Sequence, residues 1–183
     1  MVVLRSELAA GSRVFEIGSC TGQHAVYFAA SMPELVWQPS DQGHYLPGLQ
    51  ANTSEHSAKN VLPPVVLDVA GDEWPKSFYD AVYTANTLHI MSEQQVMEVF
   101  LGLNKVLAAC GKVFIYGPFN YRGQYTSASN EAFDASLRRR DPLSGIRDFE
   151  WVNELADEQG LALKYDYEMP ANNRLLVWSY KND

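Results

Sequence analysis

Val14-Phe15-Glu16-Ile17-Gly18-Ser19-Cys20-Thr21-Gly22-Gln23-His24 is the stretch around which the other segments arrange themselves. An apolar, β-rich run ends in a carboxylate, turns on small residues and passes into the apolar-periodic stretch His24 to Ala30. That is the pattern of strand, tight loop and helix, the first unit of a nucleotide-type α/β domain. Gly18 and Gly22 supply two positions where a residue without Cβ accepts positive φ and lets a ligand lie against the backbone. The dinucleotide fingerprint G-x-G-x-x-G is not met, because position 20 is Cys and position 23 is Gln, and there is no P-loop lysine. Glu16 at the strand's end separates the remaining ligand classes. A pyrophosphate needs backbone N–H groups free of nearby negative charge, whereas a ligand carrying an ammonium and a sulfonium is compatible with a carboxylate there. S-adenosylmethionine (SAM) fits that description and a nicotinamide dinucleotide fits it poorly.

Moving outward, Leu35 to Asp41 is predicted as a second strand, again ending in a carboxylate. Asp41 lies 19 positions beyond Gly22, close to the spacing of roughly 20 at which an acidic side chain reaches a ribose in βαβ units. The alternative is an Asp that turns the chain before Gly43. Residues 44 to 58 read as a weakly patterned helix, Val65 to Val69 as a third strand with Asp68 at its end, and Tyr79 to Asn86 as a fourth. His89, on the loop beyond, has the chemistry of a general base, or of a hydrogen-bonded loop histidine.

Ser92 and Gln95 form a capping box, and Val96, Val99, Phe100, Leu103 and Leu107 follow at helical spacing, with Gly111 closing the helix. Lys112 to Gly117 is the fifth strand. Residues 122 to 130 read as a polar loop over the site, and helices are expected from Asn130 to Arg140 and from Asp148 to Gln159, the latter ended by Gly160. Arg138, Arg139 and Arg140 complement the helix dipole and are read as solvated or ion-paired. Leu161 to Glu168 and Arg174 to Tyr180 alternate as two further strands.

The 183 residues support one domain, expected to span 1–183. A formal charge of −8 argues against nucleic acid or an anionic membrane surface as partner, and no run of about 20 apolar residues is present. The two cysteines, Cys20 and Cys110, are placed on separate loops, so a cytosolic protein with free thiols is expected. Neither H-E-x-x-H, paired C-x-x-C nor G-x-S-x-G occurs, which excludes the metalloprotease, zinc-module and serine-hydrolase patterns.

E-x-G-x-x-x-G at 16–22 resembles motif I of class I SAM-dependent methyltransferases, with the middle glycine of E-x-G-x-G-x-G replaced by Cys20. Glu16 to His24, Trp37-Gln38-Pro39-Ser40-Asp41, Tyr116-Gly117-Pro118-Phe119, Asn130 to Asp134 and Met169-Pro170-Ala171-Asn172-Asn173 together resemble the methyltransferase-like 26 family, a family of unknown function. The resemblance runs from about Val14 to the C-terminus. It implies a doubly wound, Rossmann-like α/β fold whose seven-stranded, mostly parallel sheet ends in an antiparallel hairpin. It also implies SAM as cofactor, S-adenosylhomocysteine as product and a small-molecule methyl acceptor, and an N-terminal segment longer than residues 1–13.

Carried onto this chain, it places Glu16, Gly18 and Ser19 at the methionine moiety, Cys20, Gly22 and His24 at the loop and helix start, and Asp41 at the ribose. Asp68, Val69 and Asn86 border the adenine. Tyr116 and Asn120 lie where class I enzymes hold the acceptor, and Asn172 and Asn173 sit on a connection that approaches that pocket. Tyr116 reads equally as a packed tyrosine with a wet hydroxyl, and Asn172 and Asn173 as turn residues that tolerate left-handed φ. Cys20 is read as small enough to replace glycine at negative φ; at a helix N-terminus it is alternatively a reactive thiol. Two rival functions remain: an inactive interaction module of the same fold, and a nicotinamide oxidoreductase, which the missing glycines and Glu16 disfavour.

Overall fold

In the computed structural model, which describes residues 1–56, 59–71 and 73–181, the chain forms two compact units. One comprises Met1–Thr84 and Lys105–Gly111, the other Ala85–Asn104 and Lys112–Asp183. No helix among the described residues is long and apolar enough to cross a membrane.

The first unit begins with a helix the sequence did not announce, α1 (Val2–Glu7), followed by β1 (Arg13–Ile17), α2 (Gln23–Ser31), β2 (Val36–Asp41), α3 (Leu46–His56), β3 (Val65–Val66) and most of β4 (Tyr79–Ala85). The last two residues of the helix expected over 44–58 lie outside the described residues. β1 pairs in parallel with β2, Val14 opposite Trp37 and Ile17 opposite Ser40, and with β4, Val14 opposite Ala81 and Ile17 opposite Thr84. β1 and β4, covered on both faces, read as mostly apolar runs, whereas β2 buries the polar Gln38, Ser40 and Asp41. Phe15 stacks on Tyr79 with centroids 4.9 Å apart, and Phe28 of α2 packs on Trp37 and Tyr83. Asn60 donates to the carbonyls of Ala29, Met32 and Leu35, satisfying the C-terminal end of α2 and the entry to β2.

The third strand is shorter than expected. β3 is an edge strand of two residues, Val65 and Val66. Pro63 and Pro64, just before it, have no N–H to give a ladder. Leu67 still donates to Asp41 O at 2.9 Å, but the Asp68 carboxylate accepts from Ala70 N–H at 3.1 Å and turns the chain.

The second unit contains most of α4 (Glu93–Val106), the end of β5 (Leu107–Gly117), β6 (Phe119–Asn120), α5 (Ala128–Arg140), β7 (Arg147–Asp148), α6 (Phe149–Glu158), β8 (Leu161–Met169) and β9 (Asn173–Tyr180). The capping box forms: Gln95 N–H donates to Ser92 Oγ at 3.2 Å and Ser92 N–H to Gln95 Oε1 at 2.9 Å. Leu107 and Gly111, expected in the helix and at its end, instead belong to β5, and so does Cys110, which is on a strand rather than a loop. Helical spacing cannot see this boundary, because Val106-Leu107 satisfies either period. α5 starts two residues earlier than expected, capped by Ser127, whose Oγ accepts from Asn130 N–H. Arg138 pairs with Asp134 at 2.8 Å. β8 and β9 form the expected antiparallel hairpin, with a bulge between Leu163 and Tyr165.

Seven strands hydrogen-bond in the order β3-β2-β1-β4-β5-β9-β8, while β6 and β7 form a separate two-stranded pair. β1, β2, β3 and β4 are parallel, and β9 runs antiparallel to both β5 and β8. This is the Rossmann-like sheet with a C-terminal antiparallel hairpin.

Candidate functional site

Three carboxylates of the first unit stand at or just past strand ends, and the loop between β1 and α2 is tied to two of them. Gly18 (φ +74) and Gly22 (φ +79) curl the loop, and the N–H groups of Gly18 and Ser19 both donate to Ser40 O, at 3.1 and 2.9 Å. Ser40 returns its own N–H to Ser19 Oγ and its hydroxyl to Glu16 O. Asp41 accepts from Cys20 N–H at 2.6 Å on one oxygen and from Gln42 N–H at 2.8 Å on the other. Gln42 then donates its side-chain amide to Asp68 at 2.9 Å. Glu16, Gly18, Ser19, Cys20, Asp41 and Asp68 thus belong to one bonded set, through Ser40 and Gln42, which the motif reading did not single out.

Cys20 has φ +50, so it does not replace a glycine at negative φ. A left-handed non-glycine residue costs about 1–2 kcal/mol, offset here by the Asp41 bond. Its thiol is free and exposed. Gly22 is the N-cap of α2. Gly22→Ala would put a Cβ 2.7 Å from Leu49 Cδ1 at a φ of +79. It should lower stability by about 1–2 kcal/mol, read as the midpoint of chemical denaturation. An unchanged midpoint would show that α2 re-enters without strain.

Glu16 is not offered to solvent. It is 1% exposed, and Trp37 Nε1–H donates to it at 2.8 Å, joined by the Ser19 side chain. Burial raises its pKa from 4.5 to about 7, against those two bonds. His24 Nδ1 lies 3.7 Å from Glu16, and burial lowers the His24 pKa. Both shifts favour neutral forms, so near pH 7 the pair carries less charge than its geometry suggests. Val69 is buried in the core.

In the second unit, Asn86 sits at φ +58 and donates its N–H to Tyr116 O at 2.8 Å. Asn86 Oδ1 and His89 Nδ1 converge over Gly117, each 3.8 Å from where a Cβ would stand. His89 is 6% exposed, and its ring meets Phe133 edge-on at 5.2 Å. Burial, followed by the charges of Arg147 and Arg140, lowers its pKa from 6.5 to about 4. Tyr116 accepts from Asn173 Nδ2 at 3.1 Å. Asn172, at φ +58, donates to Ser129 Oγ and accepts at its carbonyl from Asn130, which ties it to the first turn of α5. Asn120 is separate from that cluster. It lines a cavity of about 280 Å³ with Tyr125, Arg138, Arg147, Asp148 and Trp151, among others. Its Oδ1 and that of its register partner Asp148 are buried without a hydrogen-bond partner.

This fold is shared with solved methyltransferases. An O-methyltransferase family protein from Burkholderia thailandensis superposes with a TM-score of 0.84 at 16% identity, over 98% of this chain and 55% of that one. The SAM-dependent methyltransferase SibL gives 0.79 at 20% identity, over 94% and 51%. An O-methyltransferase family 2 protein from Planctomyces limnophilus, solved with apigenin, gives 0.81 at 13%, over 97% and 56%. The chain spans about half the length of these proteins, and at such identities the likeness is one of fold. The sequence itself matches the model described as "Protein of unknown function (DUF938)" over residues 1–180. The chain belongs to the DUF938 family.

Proposed function

We propose that this chain is a SAM-dependent methyltransferase acting on a hydroxyl of a small molecule, as a single domain over residues 1–183 in the cytosol. The observation that carries the reading is the loop of residues 18–22, curled on two left-handed glycines and bonded through Cys20 N–H to Asp41 at the end of β2. Open α/β sheets bind nucleoside ligands at such strand ends. Each Asp41 oxygen takes one backbone donor and keeps a lone pair for a ribose hydroxyl. Support for kinship with the methyltransferase-like 26 family comes from the motifs at 16–24, 37–41, 116–119, 130–134 and 169–173. The O-methyltransferase names of the structural neighbours support an oxygen acceptor.

Bound SAM would supply an activated methyl group: a bond from the acceptor oxygen to carbon forms as the C–S bond breaks, S-adenosylhomocysteine keeps the electron pair, and the acceptor proton passes to water. The residues assigned to the cofactor are Glu16, Gly18, Ser19, Cys20, Gly22, His24, Asp41, Asp68, Val69 and Asn86. Glu16 and Val69, both buried, act by shaping the loop and its surroundings. Tyr116, Asn120, Asn172 and Asn173 are assigned to the acceptor. With Asn173 donating to its oxygen, Tyr116 keeps its own proton to donate. His89 is assigned as a neutral hydrogen-bond partner rather than a general base. With a pKa near 4, accepting a proton at pH 7 would be uphill by about 4 kcal/mol.

A second reading, an interaction module of the same fold, is favoured by the commitment of both Asp41 oxygens to backbone donors. Calorimetric titration with SAM and S-adenosylhomocysteine separates the two. Micromolar binding of both is expected; no heat at about 1 mM ligand, a free energy under about 4 kcal/mol, would remove the methyltransferase reading.

A further inference from the structure

The loop that carries His89 is held from one segment. Gly145 N–H donates to His89 O at 2.9 Å, the Ser144 hydroxyl to Ile90 O at 3.1 Å, Arg147 Nε to Leu88 O at 3.3 Å and Arg147 Nη2 to Met91 O. Four consecutive carbonyls, Leu88 to Met91, therefore take their donors from residues 144 to 147. Loop carbonyls at a surface are ordinarily left to water.

Arg147 is the centre of this arrangement and is only 4% exposed. A buried guanidinium is tolerated when its donors are met. Here Nη2 makes a second bond, to Leu143 O at 2.8 Å, and Nη1 lies 3.6 Å from Glu93. An apolar side chain of similar length would fill the space without desolvating a charge. What arginine adds is a tie to three carbonyls and a fixed positive charge near His89. The other groups around the ring are Arg140 of α5, which adds to that field, the Phe133 ring and the Asn86 amide. The acids of the neighbourhood, Glu93 and Asp134, are paired with Arg147 and Arg138.

Resting on the methyltransferase reading, we propose that Arg147 is the positioning residue of His89: it ties the carbonyls of Leu88 and Met91, on either side of His89 and Ile90, to β7 and holds a positive charge near the imidazole, so that the ring meets a methyl acceptor as a neutral hydrogen-bonding group. Nothing in the motif at the SAM loop requires this device, and it makes His89 a poor place to leave a proton.

The test uses the full chain labelled with ¹⁵N-histidine. Its four histidines give separable ring signals, and His89 is assigned by its loss in His89→Gln. In the parent, the His89 ring stays neutral down to about pH 5. Arg147→Met raises the His89 midpoint by about one pH unit or more. Arg147→Lys keeps the charge but loses the forked donors. Its midpoint stays near the parent's, while amide exchange from Leu88 to Met91 quickens about tenfold. A folded Arg147→Met with the parent's midpoint overturns the proposal. So does parental amide exchange in Arg147→Lys, which decides the matter if Arg147→Met does not fold. SAM calorimetry on the parent is read separately. No SAM binding removes the methyltransferase reading whatever His89 does, whereas SAM binding with an unmoved His89 removes Arg147's role alone.

Discussion

Glu16→Gln should be more stable than the parent by about 3 kcal/mol at pH 8.5 and no more stable at pH 4. The Glu16 carboxyl is buried at the end of β1, and that burial raises its pKa from 4.5 to about 7. Unfolded, Glu16 loses its proton near pH 4.5; folded, it keeps the proton until about pH 7. Between these values the folded state binds the extra proton, so stability falls as pH rises, and the loss is complete above pH 7. The gap, at about 1.4 kcal/mol per pH unit, comes to about 3 kcal/mol. No screening discount applies to a side chain 1% exposed. Glutamine retains an oxygen for Trp37 Nε1–H, which donates to Glu16 at 2.8 Å in the parent. It also removes the charge that burial penalises. Urea denaturation at pH 4, 6, 7 and 8.5 measures the difference. Parallel curves for the two proteins across that range would mean that Glu16 ionises in the fold as it does in the unfolded chain.

That expectation changes what the carboxylate contributes. From the sequence, Glu16 selects a cationic ligand by direct charge; in the fold it is shut behind Trp37, Ser19 and His24. Its influence runs through Ser19, whose Oγ also accepts from Ser40 N–H, and so through the shape of the loop.

The features legible in the sequence are those with a local physical signature. β1 and β4 announce themselves as mostly apolar runs because parallel strands are covered on both faces. The Ser92–Gln95 box and the C-terminal end of α6, where Gly160 takes φ +76, follow from chemistry confined to a few residues. What was not legible depends on distant partners. Nothing in the identity of Cys20 tells of its left-handed φ, because the stabilising acceptor, Asp41, is 21 residues away. The boundary between α4 and β5 is hidden because Leu107 suits either period. α1 has no cap side chain to mark it. At the candidate site the same division holds. Glycine spacing pointed to the loop, whereas Ser40, Gln42 and Arg147 matter through bonds to residues 24, 26 and 56 to 59 positions away.

Asp41→Ala should weaken SAM binding by about 1–3 kcal/mol, roughly 5- to 150-fold, the cost of losing a charge-assisted hydrogen-bonding partner. Two causes are folded into that number. The side chain is the proposed ribose acceptor, and it also receives Cys20 N–H and Gln42 N–H at 2.6 and 2.8 Å, so its removal frees a loop that carries a left-handed cysteine. Cys20→Gly separates them. Glycine takes φ +50 without steric penalty, and the double variant Cys20→Gly/Asp41→Ala keeps the loop's shape without the carboxylate. If Asp41 binds the ribose, the double variant stays as weak towards SAM as Asp41→Ala. Recovery of parental affinity in the double variant would assign the loss to the loop. An undiminished affinity in Asp41→Ala itself would take Asp41 out of the site. Denaturation of the same proteins completes the comparison: the single variant should lose stability and the double variant should regain about 1 kcal/mol of it, the relief of the left-handed cysteine. Affinity that stays low while stability returns is the result that a ribose-binding carboxylate requires.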